Sequence, residues 1–347
     1  MFRLRGKQYN QINNHKKRRM KNYRKNLKWN TYRNIAFAAI FATLTINASA
    51  QTVSLPLAQP GYYHMALGDI DLIALSDGSV SQDMGKLLTN VKPGEVKSLF
   101  NLSFQEPVVE LSVNAYLFKL DGKLILIDAG TSELFGPTLG KLPESFAKAG
   151  FKPEDVDAVL ITHIHSDHTG GLMLGEKMVF PNATIYVSQQ EYDFWLTPKN
   201  YKAASAELKP YFDQALLKMS PYVKAGKVKT FNYGKELFPG VLPIASPGHT
   251  PGHSFYKLSS KNESIVFWGD IMHAAPVQFS RPNVTIVYDI NPNQAAAARK
   301  KAFADAAKNK YWIASDHLSF PGIGHIRAEG TGYKWYPVNY STTGHGQ

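Results

Sequence analysis

The 347-residue chain contains no cysteine. That excludes disulfides, a thiolate nucleophile, a thiolate metal ligand and lipid attachment through a cysteine. Stability has to come from packing. Acidic residues are missing from the first fifty positions, which hold 12 of the 39 Lys and Arg and none of the 27 Asp and Glu. From position 51 onward the two signs balance, so the formal charge of +12 belongs to the leader and does not argue for a nucleic-acid partner. Long apolar stretches are scarce in that leader too: the run from Ile35 to Ile46 is twelve residues, too short for a bilayer. With a basic region before it and Asn-Ala-Ser-Ala ending at Ala50 after it, residues 1–50 read as an export signal with an unusually long basic part, cleaved near Ala50. Met20 is an alternative start and an uncleaved anchor the alternative reading. The expectation is a periplasmic or secreted chain of residues 51–347, forming one large domain without stable membrane association. No short-period repeat or low-complexity run interrupts it.

What is present is concentrated in Thr-His-Ile-His-Ser-Asp-His-Thr-Gly-Gly at 162–171. Two histidines one residue apart on extended or turning backbone point the same way, so His163 and His165 can grip one metal ion. Asp167 and His168 follow as the chain turns toward a helix and can face a second ion. Imidazole with some carboxylate suits zinc or a similar first-row ion, whereas an oxygen-only set would suit magnesium or calcium. The apolar Val159, Leu160 and Ile161 place the motif at a strand end.

The rest of the chain reads as alternating elements. Strands are expected at 71–75, 112–120, 123–127, 156–161, 184–187, 227–231, 244–246, 254–258 and 264–268, with Asp77-Gly78 and Asp121-Gly122 as turns. Helices are expected at 142–149, as a pair within 189–225 broken near Pro198 and Pro210, and at 292–308. Residues 79–108 read as a loop with a short helix, a length that is often functional and suits a lid. Strands with helices between them mean an α/β or α+β layered fold. Three later strand ends add ligand types: His249 or His253 in Ser-Pro-Gly-His-Thr-Pro-Gly-His at 246–253, Asp270 after Trp268-Gly269, and His317 after Ser315-Asp316.

These residues carry a resemblance to the metallo-β-lactamase superfamily, and more narrowly to its methyl parathion hydrolase group. The narrower likeness rests on Leu-Phe-Gly-Pro-Thr-Leu-Gly at 134–140, Asp-Phe-Trp-Leu at 193–196, the Lys/Ala-rich run at 300–308 and His-Leu-Ser-Phe-Pro-Gly-Ile-Gly-His-Ile-Arg-Ala-Glu-Gly at 317–330. The resemblance implies a four-layer αββα sandwich. It implies one ion on His163, His165 and His249, another on Asp167, His168 and His317, and Asp270 between them, with zinc the leading ion. Asp128 and His253 would support the ligands. Phe135, Trp195, Phe212 and His273 would line the pocket. His273 stands where the named hydrolase group has an apolar residue, which narrows or polarises that pocket.

Two such ions hold a hydroxide at neutral pH, with Asp270 and Asp167 serving the reaction as ligands, so no serine nucleophile is needed. The expected reaction is cleavage of an ester-like bond (aryl ester, lactone or phosphotriester) in a small neutral substrate. Degradation of signal lactones is one alternative, β-lactam hydrolysis a second, and a non-catalytic binding protein of the same fold a third. A homodimer is compatible with the sequence. Lactamases with a Cys ligand are excluded by composition, and the neutral chain disfavours nucleases and thioesterases of anionic conjugates.

Overall fold

The structure is a computed structural model in which residues 59–342 are described. The leader, the cleavage point near Ala50 and Met20 lie outside the described residues. Seven strands form the first sheet in chain order: β1 (Tyr62–Leu67), β2 (Ile70–Asp83), β3 (Val108–Leu120), β4 (Lys123–Ile127), β5 (Ala158–Leu160), β6 (Thr184–Ser188) and β7 (Val228–Phe231). The first four pair antiparallel, and β4 to β7 run parallel. Six more strands make the second sheet, again in chain order: β8 (Val241–Ala245), β9 (Ser254–Ser260), β10 (Glu263–Phe267), β11 (Trp312–Ala314), β12 (Ile323–Glu329) and β13 (Gly332–Pro337). Only β10 and β11 pair parallel there.

The helices that matter for packing are α1 (Glu95–Leu102), α2 (Leu142–Lys148), α3 (Ser166–Thr169), α4 (Gln189–Leu196), α5 (Pro198–Ala203), α6 (Lys209–Lys224) and α7 (Pro292–Asn309). Strand alternation sorts their partners. In β4, Leu124 and Leu126 face α2, α4 and α6 through Phe146, Trp195, Phe212 and Met219, whereas Ile125 and Ile127 face the second sheet through Tyr256, Ile265 and Phe267. The far side of the second sheet, Val266 and Ile313, packs on Ala302, Phe303 and Ala306 of α7. Three cores between four layers give the expected αββα sandwich. Because β4 is covered on both faces, its residues read as a continuous apolar run.

Four expectations need correction. Asp77-Gly78 is not a turn: β2 continues through it as a bulge, with the register against β3 shifting between Ser76 and Gly78 and Gly78 at φ +115°. The buried Asp77 carboxylate there accepts from the backbone N–H groups of Thr131, Gly140 and Leu142 and from the Thr131 hydroxyl. Residues 79–108 are likewise mostly regular: 79–83 finish β2, Met84–Leu87 is a helical turn, Leu88–Thr89 pairs with Thr285–Ile286, then α1 follows and β3 opens at Val108. A separate core of Met84, Leu88, Phe100, Val277 and Ile286 pins the segment down. The 189–225 stretch is three helices, since Pro198 and Pro210 sit in the first turns of α5 and α6, where a missing N–H costs nothing. Strands β12 and β13 were not expected at all. Among the described residues no helix is long and apolar enough to cross a membrane.

Candidate metal centre

The parallel pairs β4–β5 and β10–β11 end at one edge of the sandwich, and the loops leaving these strands carry most of the site. His163 and His165 leave β5 on extended backbone, and His165 is the N-cap of α3, whose first turn holds Asp167 and His168. Gly170 and Gly171 let that turn lie on the loop after β4. A Cβ on Gly171 would meet the Ala129 carbonyl oxygen at 1.8 Å, and one on Gly170 the Thr131 oxygen at 2.3 Å. His249 comes from the loop between β8 and β9, Asp270 from the end of β10 and His317 from the end of β11.

All seven side chains converge. Ligand atoms of His163, His165, His249 and Asp270 lie within 4.8 Å of one another, and so do those of Asp167, His168, His317 and Asp270. Asp270 belongs to both groups: Oδ1 is 3.1 Å from His168 Nε2 and from His317 Nε2, and Oδ2 is 3.2 Å from His249 Nε2. His163 Nε2, His168 Nε2 and Asp270 Oδ1 are buried without a hydrogen-bond partner among the described residues. Buried polar atoms that crowd toward a common point without forming hydrogen bonds fit a cation site. The nitrogen-rich donor set with carboxylates fits zinc or a similar ion.

The electrostatics point the same way. Burial holds the His163 imidazole well below its ordinary pKa, and burial together with the neighbouring His249 brings His165 down to about 3. Burial opposes charge on His249 as well, but hydrogen bonds to Asp270 and Asp289 push it up to about 9. Burial also works against the Asp270 carboxylate, yet the surrounding imidazoles keep its pKa well below the usual range. The carboxylates hold positive charge in this cluster, and a divalent cation would satisfy them equally.

The imidazoles are held from behind. His168 Nδ1 bonds Asp128 Oδ2 at 2.8 Å, and Asp128, at φ +56°, also accepts from Thr162 N and Oγ1. His317 Nδ1 meets the Ser112 carbonyl at 2.9 Å. His249 is among the clustered groups and His253 is not: the Nε2 of His253 accepts from the Asp270 backbone N–H at 3.1 Å. Two supports went unrecognised in the sequence. Asp289 Oδ1 holds His249 Nδ1 at 2.9 Å, and Asp316 Oδ2 lies 3.1 Å from His168 Nδ1. Burial and the nearby Asp128 push the Asp316 carboxyl well above the normal range.

A cavity of about 340 Å³ opens onto the cluster, with Phe135, Tyr211, Gln214, His273 and Tyr288 on its walls. His273 Nε2 is 3.2 Å from Asp270 Oδ2 and its ring stacks on His317. Trp195 and Phe212 are not on the wall. Both are fully buried core residues, Trp195 behind His165 with ring centroids 5.5 Å apart. The periodicity of α6 explains the displacement: Phe212, Ala215, Met219 and Tyr222 form its buried stripe, so Tyr211 and Gln214 occupy the adjacent face toward the cavity.

Residues 108–313 match the family described as the metallo-beta-lactamase superfamily. The structure is similar to that of the hydrolase AbOPH in the beta lactamase superfamily, with TM-score 0.78 and 39% identity over 82% of this chain and 99% of that one. It is similar also to AidC, a dizinc quorum-quenching lactonase in complex with a product, with TM-score 0.76 and 28% identity over 81% and 99% of the two chains. An N-acyl homoserine lactonase of Bacillus cereus is 27% identical over 178 residues, a match covering 46% of this chain and 63% of the lactonase. With the ligand-type side chains gathered at one sheet edge and the family match spanning more than half its length, the chain belongs to the metallo-beta-lactamase superfamily and is one of its metal-dependent hydrolases.

Proposed function

We propose that the chain is a dinuclear hydrolase of small neutral ester-like substrates, with lactones and aryl esters ahead of phosphotriesters, and that it is allied to the methyl parathion hydrolase group. The observation that carries this reading is the single Asp270 carboxylate placed between two imidazole clusters on the floor of a cavity. His163, His165 and His249 would hold one ion, and Asp167, His168 and His317 the other. When bound, such ions supply Lewis acidity and acidify water. The chain's own residues orient the substrate: Phe135 offers an apolar wall, and the phenols of Tyr211 and Tyr288 offer donors near the cluster. His273 makes the floor more polar than an apolar residue would. Likeness to AidC supports a lactone substrate, and likeness to AbOPH keeps the broader ester class in view. The leader supports placing the enzyme outside the cytoplasm.

The test uses protein stripped with a chelator, reloaded with zinc, cobalt or manganese, and assayed on p-nitrophenyl acetate, an acyl-homoserine lactone and methyl paraoxon. Reloading restores turnover on at least one ester or lactone. Asp270→Ala lowers it by more than the roughly 10–100-fold that loss of an outer partner costs. Activity indifferent to both chelator and Asp270→Ala would falsify the metal mechanism.

A further inference from the structure

Glu191 is completely buried in the first turn of α4, and among the described residues no cationic side chain pairs with it. Its carboxylate accepts four hydrogen bonds, two on each oxygen. Oε1 receives Ile164 N at 2.8 Å and Trp195 Nε1 at 2.7 Å, and Oε2 receives Thr250 Oγ1 and Gly252 N, each at 2.8 Å. Three of those four partners can only donate, so both carboxylate oxygens serve as acceptors. Burial raises its pKa above the ordinary carboxylate value, and the four hydrogen bonds only partly offset that rise.

The donors are not scattered. Ile164 is the residue between His163 and His165, and Thr250 and Gly252 follow His249 on its loop. One carboxylate therefore ties together the two loops that carry three imidazoles of a single cluster. The contact leaves no slack: a Cβ on Gly252 would lie 2.1 Å from Glu191 N, so only glycine lets the His249 loop come this close. Trp195, which donates to Glu191, also packs edge-on against His165. The imidazoles of the other cluster are anchored elsewhere, His168 on Asp128 and His317 on the Ser112 carbonyl.

We propose that Glu191 is a positioning residue dedicated to one half of the metal centre, setting the mutual geometry of His163, His165 and His249 without touching an ion or the substrate. This rests on the dinuclear reading above. A buried carboxylate serving only the core would be an expensive filler where an aliphatic side chain could pack. Here it is, among the described residues, the acceptor that satisfies backbone N–H groups from both loops at once.

The experiment titrates the metal-free protein, in the form the cell produces, with zinc against a chromophoric chelator, and records the absorption spectrum during parallel cobalt loading. Glu191→Gln preserves the shape but removes the charge and turns an amide donor toward groups that already donate. The expected result is two binding steps in the parent. In Glu191→Gln one step is weakened about 10–100-fold while the other stays within about twofold, with a changed cobalt spectrum for the weakened step only. His317→Asn, which lowers the other step, identifies which is which. Thr250→Val removes one of the four hydrogen bonds and gives a smaller shift in the same step. It decides by the same criterion if Glu191→Gln does not fold by circular dichroism. Both steps unchanged, or both weakened equally, overturns the proposal. A parent chain that takes up fewer than two ions overturns the dinuclear reading itself and the proposal with it.

Discussion

Arg299→Met measures how much of the molecule's stability is committed to holding one imidazole. Arg299 projects from α7 and is completely buried. It donates to the carbonyls of Ile271 and Val284, each at 2.5 Å, and of Pro282 at 3.2 Å. Its guanidinium also lies 3.8 Å from Asp289, which holds His249. Burial brings the guanidinium down to about 10 against the pull of Asp289, so it remains charged at neutral pH. Methionine follows the same stem and fills most of the same space, so the cavity contribution is small and the electrostatic one is isolated. Removing one partner of a buried pair costs about 3–5 kcal/mol, because the other charge stays in low dielectric. The lost donation to three carbonyls adds to that, although Val284 O keeps a donor in Gln278 Nε2 at 3.2 Å, and relief of the arginine's own desolvation offsets it. The expected loss is therefore about 3–5 kcal/mol, or about 6–10 °C in Tm at roughly 2 °C per kcal/mol for a domain of this size. Urea unfolding of the metal-free protein, followed by tryptophan fluorescence and far-ultraviolet circular dichroism together, measures it. A loss below about 1 kcal/mol would refute the reasoning, since it would mean that Asp289 does not depend on Arg299.

Two further predictions concern Glu133 and Phe135. Burial alone would raise the Glu133 pKa, but its hydrogen bond and ion pair to the buried Lys218 bring it from 4.5 down to about 2. A depressed carboxyl contributes stability above its unfolded pKa and loses it as pH falls through the folded one. The stability gap between the parent and Glu133→Gln should thus be constant above pH 4.5 and close between 4.5 and about 2. Urea midpoints that keep the same gap throughout that window would contradict the pairing. Phe135, 42% exposed at the cavity mouth, offers only part of its ring to a substrate. Phe135→Ala should raise KM for an apolar ester by about tenfold, equivalent to about 1.4 kcal/mol of lost apolar contact, with kcat nearly unchanged. Equal losses in kcat and kcat/KM would place Phe135 in the reaction rather than at its entrance.

The seven clustered side chains could be picked out in the chain because they sit on loops and turns that follow apolar strands, and the motif's spacing matches the period of extended backbone. The layered fold followed from strand and helix periods that local sequence carries well. What failed was long-range. Asp77-Gly78 has the composition of a turn, and only pairing with β3 turns it into a bulge. The 79–108 segment lacks a clear period because its apolar residues pack against Val277 and Ile286, nearly two hundred positions away. Asp289 and Arg299 carry no local signature, since their importance arises when α7 packs beside the His249 loop. The displacement of the pocket from Phe212 to Tyr211 was within reach, because the i, i+3, i+7 stripe on α6 already marks Phe212 as core.

The seam between the two sheets has a consequence for synthesis. The polypeptide through β7 carries His163, His165, Asp167 and His168, while His249, Asp270 and His317 all arrive with the later sheet. A nascent or clipped chain that stops short of position 317 thus owns an unfinished claw and lacks the hinge carboxylate or the last imidazole. On the proposed dinuclear reading, hydrolytic competence requires the closing portion to have docked, so fragments shed by proteolysis or stalled translation would be chemically silent.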